Sequence, residues 1–270
     1  MIGKFHLATV KPVIDVLPNT AFDANDILFD WHRIEIPRGA VCLRSVNCIV
    51  PGTNGTAGNA HDIGLVFATS LNGSAPPSLG DPDDAPTVIK GAAVKNHITG
   101  QHVLDQNKLV SNTNAEFVGF SVWSMSGSIG NDLNEPKLIL QGDPNYSKAT
   151  ESTTKGFQSI WVAGFAHGAF DFGTNVLLDG AVSSAGAQTL DVSEDGDADD
   201  VFCIGDELLA AASDGSSVQK IGTITALTAD TITVDAKDIN GTTVWASGAL
   251  ADDDEICFRR PITFQFGFEY

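Results

Sequence analysis

The last ten residues, PITFQFGFEY, constrain the fold more than any other stretch of the chain. From Ile262 the large apolar side chains take every second position, Ile262, Phe264, Phe266, Phe268 and Tyr270, with Thr263, Gln265, Gly267 and Glu269 between them. That is the two-residue period of a β-strand with one face turned to a core. Aromatic rings bury roughly 150–250 Å² each. At about 2–3 kcal/mol per fully buried large side chain, the strand contributes on the order of 10 kcal/mol of gross apolar stabilisation. A free tail would not carry such a face. Pro261 stands at the first position, where a missing N–H costs a ladder least. The C-terminus is therefore expected to be a core strand, of its own domain or, as the alternative, of a neighbouring subunit.

Short alternating runs between turn signals recur through the first 175 residues, and no long 3.6-residue period appears, so the chain reads as all-β. Candidate strands are FHLATV, DILFDWHRIEI, AVCLRSVNCIV, IGLVFATSL, AEFVGFSVWSM, KLILQG and SIWVAGFAHGAFDFG. In DILFDWHRIEI the apolar set moves from Ile27, Phe29 and Trp31 to Ile34 and Ile36, which predicts a β-bulge near His32 and Arg33. Residues 90–112 fit either a short helix or a strand pair. Asn54, Asn72, Asn145 and Asn240 begin N-x-S/T matches, and three of them are Asn-Gly steps, which are turn signals first.

The balance of charge changes sharply along the chain. Residues 176–258 hold 17 Asp/Glu and 2 Lys/Arg, a net of −15, whereas residues 1–175 hold 16 and 11, a net of −5. A second unit over 176–258 is expected, inserted in a host of 1–175 plus 259–270. Within it, IGTITALTADTITVD reads as two strands around a short turn, with VFCIGDELLA before and DDDEICF after. The expected architecture is a jelly-roll-like two-sheet sandwich with a small acidic β-barrel inserted before the last strand. An immunoglobulin-like sandwich is the alternative.

With a net charge of −19, nucleic acid and anionic membrane surfaces are excluded as favoured partners. No segment reads as a signal peptide or a membrane span, so synthesis and maturation in a host cytoplasm are expected. Cys42, Cys48, Cys203 and Cys257 are too few and scattered for a disulfide framework and read as buried thiols, although Cys203 and Cys257 flank one segment and could face each other.

Catalytic constellations are missing. The histidines, His6, His32, His61, His97, His102 and His167, have no i, i+2 or i, i+4 pair. There is no G-x-S-x-G elbow, Walker loop or H-E-x-x-H motif. Asp171-Phe172-Gly173 lacks every partner it has in a kinase. The expected class is non-enzymatic, with no cofactor. In SEDGDADDV, Asp195, Asp197 and Asp199 alternate as hard oxygen ligands of a calcium loop do, but Asp200 and Asp206 stand where an EF-hand needs glycine and glutamate. A non-EF calcium site and a solvated acidic loop are the two readings. Asp252, Asp253, Asp254 and Glu255 form a second acidic cluster. Trp31, Trp123, Trp161 and Trp245 suit a core, or stacking on sugars if the sandwich is a carbohydrate-binding module.

The acidic unit, with GDEL at Gly205 to Leu208 and the hairpin Ile221 to Asp235, resembles the small β-barrel modules of tailed-bacteriophage virion proteins. Its Ala-, Thr-, Asn- and Gly-rich all-β host is similar to phage capsid decoration (cement) proteins. This resemblance implies a virion structural protein on the outer capsid surface that binds the major capsid protein, often as a homo-oligomer with a trimer favoured. A neck, tail or host-recognition component is the alternative. The near-neutral domain, with Phe5 to Val10 and the loops at 51–62 and 74–87, is expected to supply the docking surface, since neutral loops bury at lower desolvation cost than acidic ones.

Overall fold

The alternating C-terminal segment lies inside a sheet, paired on both sides within its own chain. In the computed structural model, residues 3–15, 22–51, 61–70, 75–86, 97–105, 109–111, 120–124, 138–142, 156–168, 176–193, 198–212 and 217–270 are described. Among them the strands are β1 (Phe5–Val10), β2 (Ile27–Pro37), β3 (Val41–Pro51), β4 (Ile63–Ala68), β5 (Ile98–Leu104), β6 (Leu109–Ser111), β7 (Phe120–Ser124), β8 (Leu138–Leu140) and β9 (Phe157–Ala166). Then follow β10 (Val176–Leu177), β11 (Gln188–Asp191), a four-residue helix α1 (Ala198–Val201), β12 (Glu207–Ala211), β13 (Val218–Leu227), β14 (Thr231–Val234), β15 (Glu255–Phe258) and β16 (Thr263–Glu269).

Three antiparallel sheets result. The first runs β1-β16-β3-β7-β6 with β8 also on β3, and the second runs β2-β9-β4-β5. β1 to β4 alternate between these two sheets, which face each other as a jelly-roll-like sandwich. Its core is where the terminal strand meets the second sheet: Ile262, Phe264, Phe266 and Phe268 are fully buried, with Phe264 5.5 Å from Phe29 and Phe266 5.8 Å from Phe67 between ring centroids. Tyr270 departs from the expected face and is 47% exposed. Its backbone pairs with Lys4 where the sheet ends, beyond the cover of the second sheet.

The register of β2 against β9 shifts between Ile27 and Phe29 and again between Phe29 and His32. The expected bulge is therefore present, one step earlier than Arg33 and doubled. Leu28 and Phe29 both enter the sandwich core, while Ile27 turns to the opposite face with Leu79 and Ala163. The loop carrying Leu79 straps the outside of the second sheet: Trp31 Nε1 donates to the Pro77 carbonyl at 2.9 Å, and Asp30 Oδ1 accepts the Leu79 N–H at 3.0 Å.

The third sheet, β10-β15-β12-β13-β14-β11, is the small acidic barrel inserted before the last strand. Its edges approach each other where the Asp179 N–H donates to the Asp191 carbonyl at 2.8 Å, so the sheet curls into a half-barrel. Its core includes Leu208, Ile224, Ile232, Val234 and Phe202, and its largest side chain is Trp245. Trp245 lies outside any strand, so no alternation marks it as core. VFCIGDELLA forms a strand only from Glu207. Gly205 has φ +97° and Asp206 Oδ2 accepts the Cys203 N–H at 2.9 Å, a turn that delays the ladder. At the Asn240-Gly241 step the expected turn is present, with Gly241 at φ +81° and its N–H bonded to the Asp238 carbonyl at 2.9 Å.

Candidate interaction surface

β1 forms one edge of the first sheet, and its alternation sorts it into two faces. His6, Ala8 and Val10 turn inward; His6 Nε2 lies 3.1 Å from the Glu35 carbonyl and its ring packs edge-on against Phe157 at 5.1 Å. Phe5 and Leu7 turn outward, 71% and 59% exposed. Lys4 exchanges both backbone hydrogen bonds with Tyr270, at 3.1 and 3.0 Å. Hydrogen-bonded pairs alternate along an antiparallel ladder, so the backbone groups of Phe5, Leu7 and Thr9 face away from β16. Between Phe5 and Val10 there is no proline, Lys, Asp or Glu, the devices that commonly protect an edge.

The outer face continues across the sheet. Phe5 stands opposite Glu269, Glu269 opposite Cys42, and Cys42 opposite Ile139 of β8. Ile139 is 69% exposed. Arg44 Nε pairs with Glu269 Oε2 of this row at 2.6 Å, which neutralises the acid. Among the described residues no strand pairs with the outer edge of β1, and an apolar, charge-balanced sheet face beside such an edge can bury against a partner at low desolvation cost.

In the loop at 74–87, the described residues 75–86 carry three acids, Asp81, Asp83 and Asp84. The Ile27 N–H donates to the Asp84 carbonyl at 3.0 Å and the Asp83 N–H to the Ile27 carbonyl at 2.9 Å. This pairing brings Asp83 and Asp84 beside Asp23 and Asp26. Burial, then the charges of Asp26, Asp84 and Asp23, push the Asp83 carboxyl above its ordinary value. The loop is an acidic strap with Leu79 buried beneath it. Of the loop at 51–62, residues 52–60 lie outside the described residues.

Of the candidate calcium ligands, Asp195 and Asp197 lie outside the described residues, and Asp199 is exposed on α1. No group of three or more His, Cys, Asp or Glu able to hold a metal occurs among the described residues. The second acidic cluster instead ties turns: Asp252 Oδ1 accepts the Gly180 N–H at 2.6 Å and Asp254 Oδ2 the Ala251 N–H at 2.8 Å. Cys203 is exposed and Cys257 buried, and no disulfide joins them. Burial pushes the Cys48 thiol well above its ordinary value. No helix among the described residues is long and apolar enough to cross a membrane.

An open cleft of about 340 Å³ lies where the barrel meets the sandwich, between residues 9–11 and 205–207, and a second of about 470 Å³ lies beside it on the sandwich, between residues 12–15 and the loop at 78–82; His32 and Arg260 line both. Burial, then the Arg260 charge, hold the His32 imidazole below its ordinary value. Sequence reasoning passed over this junction because its charged residues are far apart in the chain.

No protein-family model matches the chain, and no curated protein matches it. Among solved structures it is similar to a chain in the structure of deformed wing virus, a honeybee pathogen, at 8% identity, covering 100% of this chain and 85% of that one, with a TM-score of 0.11. A score of that size carries no shared arrangement of strands, and the fold stands on its own topology.

Proposed function

We propose that this protein is a virion structural component that decorates an icosahedral phage capsid by binding the major shell protein through the outer face and open edge of β1. The observation that carries the reading is the pair Phe5 and Leu7, 71% and 59% exposed on a strand that, among the described residues, forms the edge of its sheet. A rigid sandwich that leaves such an edge open is suited to strand addition or to face-on docking, in which backbone groups supply affinity and alternate side chains supply register. The inserted barrel, taken as a separately folded unit over 176–258, bears most of the net charge of the chain. Projected away from the shell, it keeps particles apart by repulsion. The oligomeric form proposed with this docking is a trimer at local symmetry axes.

Quantitative mass spectrometry of purified virions of the source phage tests the reading. A copy number in a simple ratio to the major shell protein supports decoration. A few copies per particle move the protein to the neck, tail or fibre, and its absence from the particle overturns the proposal. On emptied particles, Leu7→Glu is expected to abolish rebinding while the free protein remains folded.

A further inference from the structure

Among the described residues, charge and not a shared core joins the barrel to the sandwich. The two apolar clusters have no residue in common, and the chain returns from one to the other at Arg259 and Arg260, between the end of β15 and Ile262. Glu207 opens β12, and its side chain is 1% exposed. Its Oε1 accepts from Arg259 Nη1 at 3.0 Å and from the Ile239 N–H at 3.1 Å, and its Oε2 accepts from Arg260 Nε. Asp15, in the sandwich segment that follows β1, accepts from Arg259 Nε at 2.7 Å and pairs with Lys220 Nζ of β13 at 2.5 Å. Two further hydrogen bonds fix the same segment: Arg260 Nη1 donates to the Lys11 carbonyl at 2.7 Å, and the Ile14 N–H to the Arg259 carbonyl at 2.9 Å.

The order Lys220, Asp15, Arg259, Glu207, Arg260 alternates in sign, and each carboxylate lies between two cations. A guanidinium fixed on two carboxylates holds direction as well as distance. The two clefts flank this chain of charges, so water stands ready to solvate any link that opens. Interfaces of this kind within one chain permit rotation unless a large apolar contact or specific polar ties prevent it.

We infer that the alternating ion-pair chain is a latch that sets the orientation of the barrel on the sandwich, and that neutralising a carboxylate link frees the barrel to turn about Arg259 and Arg260 while both cores stay folded. The latch has two discrete arrangements, closed with all links made and open with the charged groups hydrated. It does not depend on the virion reading.

Spin labels at Ala40→Cys on the sandwich and Asn240→Cys on the barrel, in the full chain with Cys42 and Cys203 replaced by serine, report the orientation through their distance distribution. With the latch intact a single narrow distance is expected. In Asp15→Asn and Glu207→Gln it is expected to broaden and shift, with amide chemical-shift dispersion retained in both cores. An unchanged narrow distance in a folded Asp15→Asn protein overturns the inference. So does loss of barrel dispersion in both variants, since the charges would then serve folding and not orientation.

Discussion

Asp83 sits at φ +68° in the strap over the second sheet, an uncommon conformation for a residue with a side chain, and its carboxylate faces Asp26, Asp84 and Asp23. Its raised folded value means that the folded state holds the proton more tightly than the unfolded one. The charge therefore weakens the fold above that value, and the penalty vanishes as pH falls below the ordinary carboxylate value of 3.8. Asp83→Asn keeps a residue that tolerates this backbone and removes the repulsion. It is expected to stabilise the protein at pH 7 by about 0.2–1 kcal/mol, the range for screened surface charges. Denaturant melts at pH 7 and pH 3 check it: the gain should be present at the first and absent at the second. Gly222 illustrates the opposite constraint, with φ +117° and an added Cβ only 2.7 Å from the Ala236 backbone. The need for glycine there is invisible in IGTITALTAD, because it arises from a neighbour that the curl of the barrel brings close.

At the scale of elements, β16 is the strand on which the sandwich depends. It lies between β1 and β3 and stacks Phe264 on Phe266 at 5.8 Å and Phe266 on Phe268 at 6.5 Å. Phe266→Ala is expected to cost about 3–5 kcal/mol, through lost transfer energy and a cavity that close packing cannot fill. Urea unfolding followed by tryptophan fluorescence would show the midpoint falling, and an unchanged midpoint would mean that the strand is not central. The face of this strand was legible from its alternation alone. Which strands flank it was not, since β1 and β3 reach it across more than 200 residues. At 74–87 the acids of DPDDAP were visible in the sequence, but their meeting with Asp23 and Asp26 depends on pairing with β2.

At the scale of the molecule, the junction between barrel and sandwich contributes to the dependence of the fold on pH. The folded value of His32 is lowered by burial and by Arg260, so the unfolded chain takes up a proton first as pH falls. Stability from this group is complete above its ordinary value of 6.5 and declines from there toward its lower folded value. His102, lowered by burial alone, adds the same sign. For Asp15, burial raises the carboxyl value, but the bonds from Arg259 and Lys220 outweigh it and the net value is lowered. Its contribution is therefore present above 3.8 and is lost as pH falls through the lower folded value. Urea midpoints between pH 7 and 5 should fall for the native protein and fall less for His32→Gln; equal slopes would show that His32 is not the group responsible. The sequence by itself determined the all-β class, the aromatic core strand and the segregation of acid into residues 176–258, because strand period and charge density are local properties. The tertiary structure alone decided the burial of Trp245, the exposed edge of β1 and the alternating charges at the junction, because each requires residues far apart in the chain to share one place.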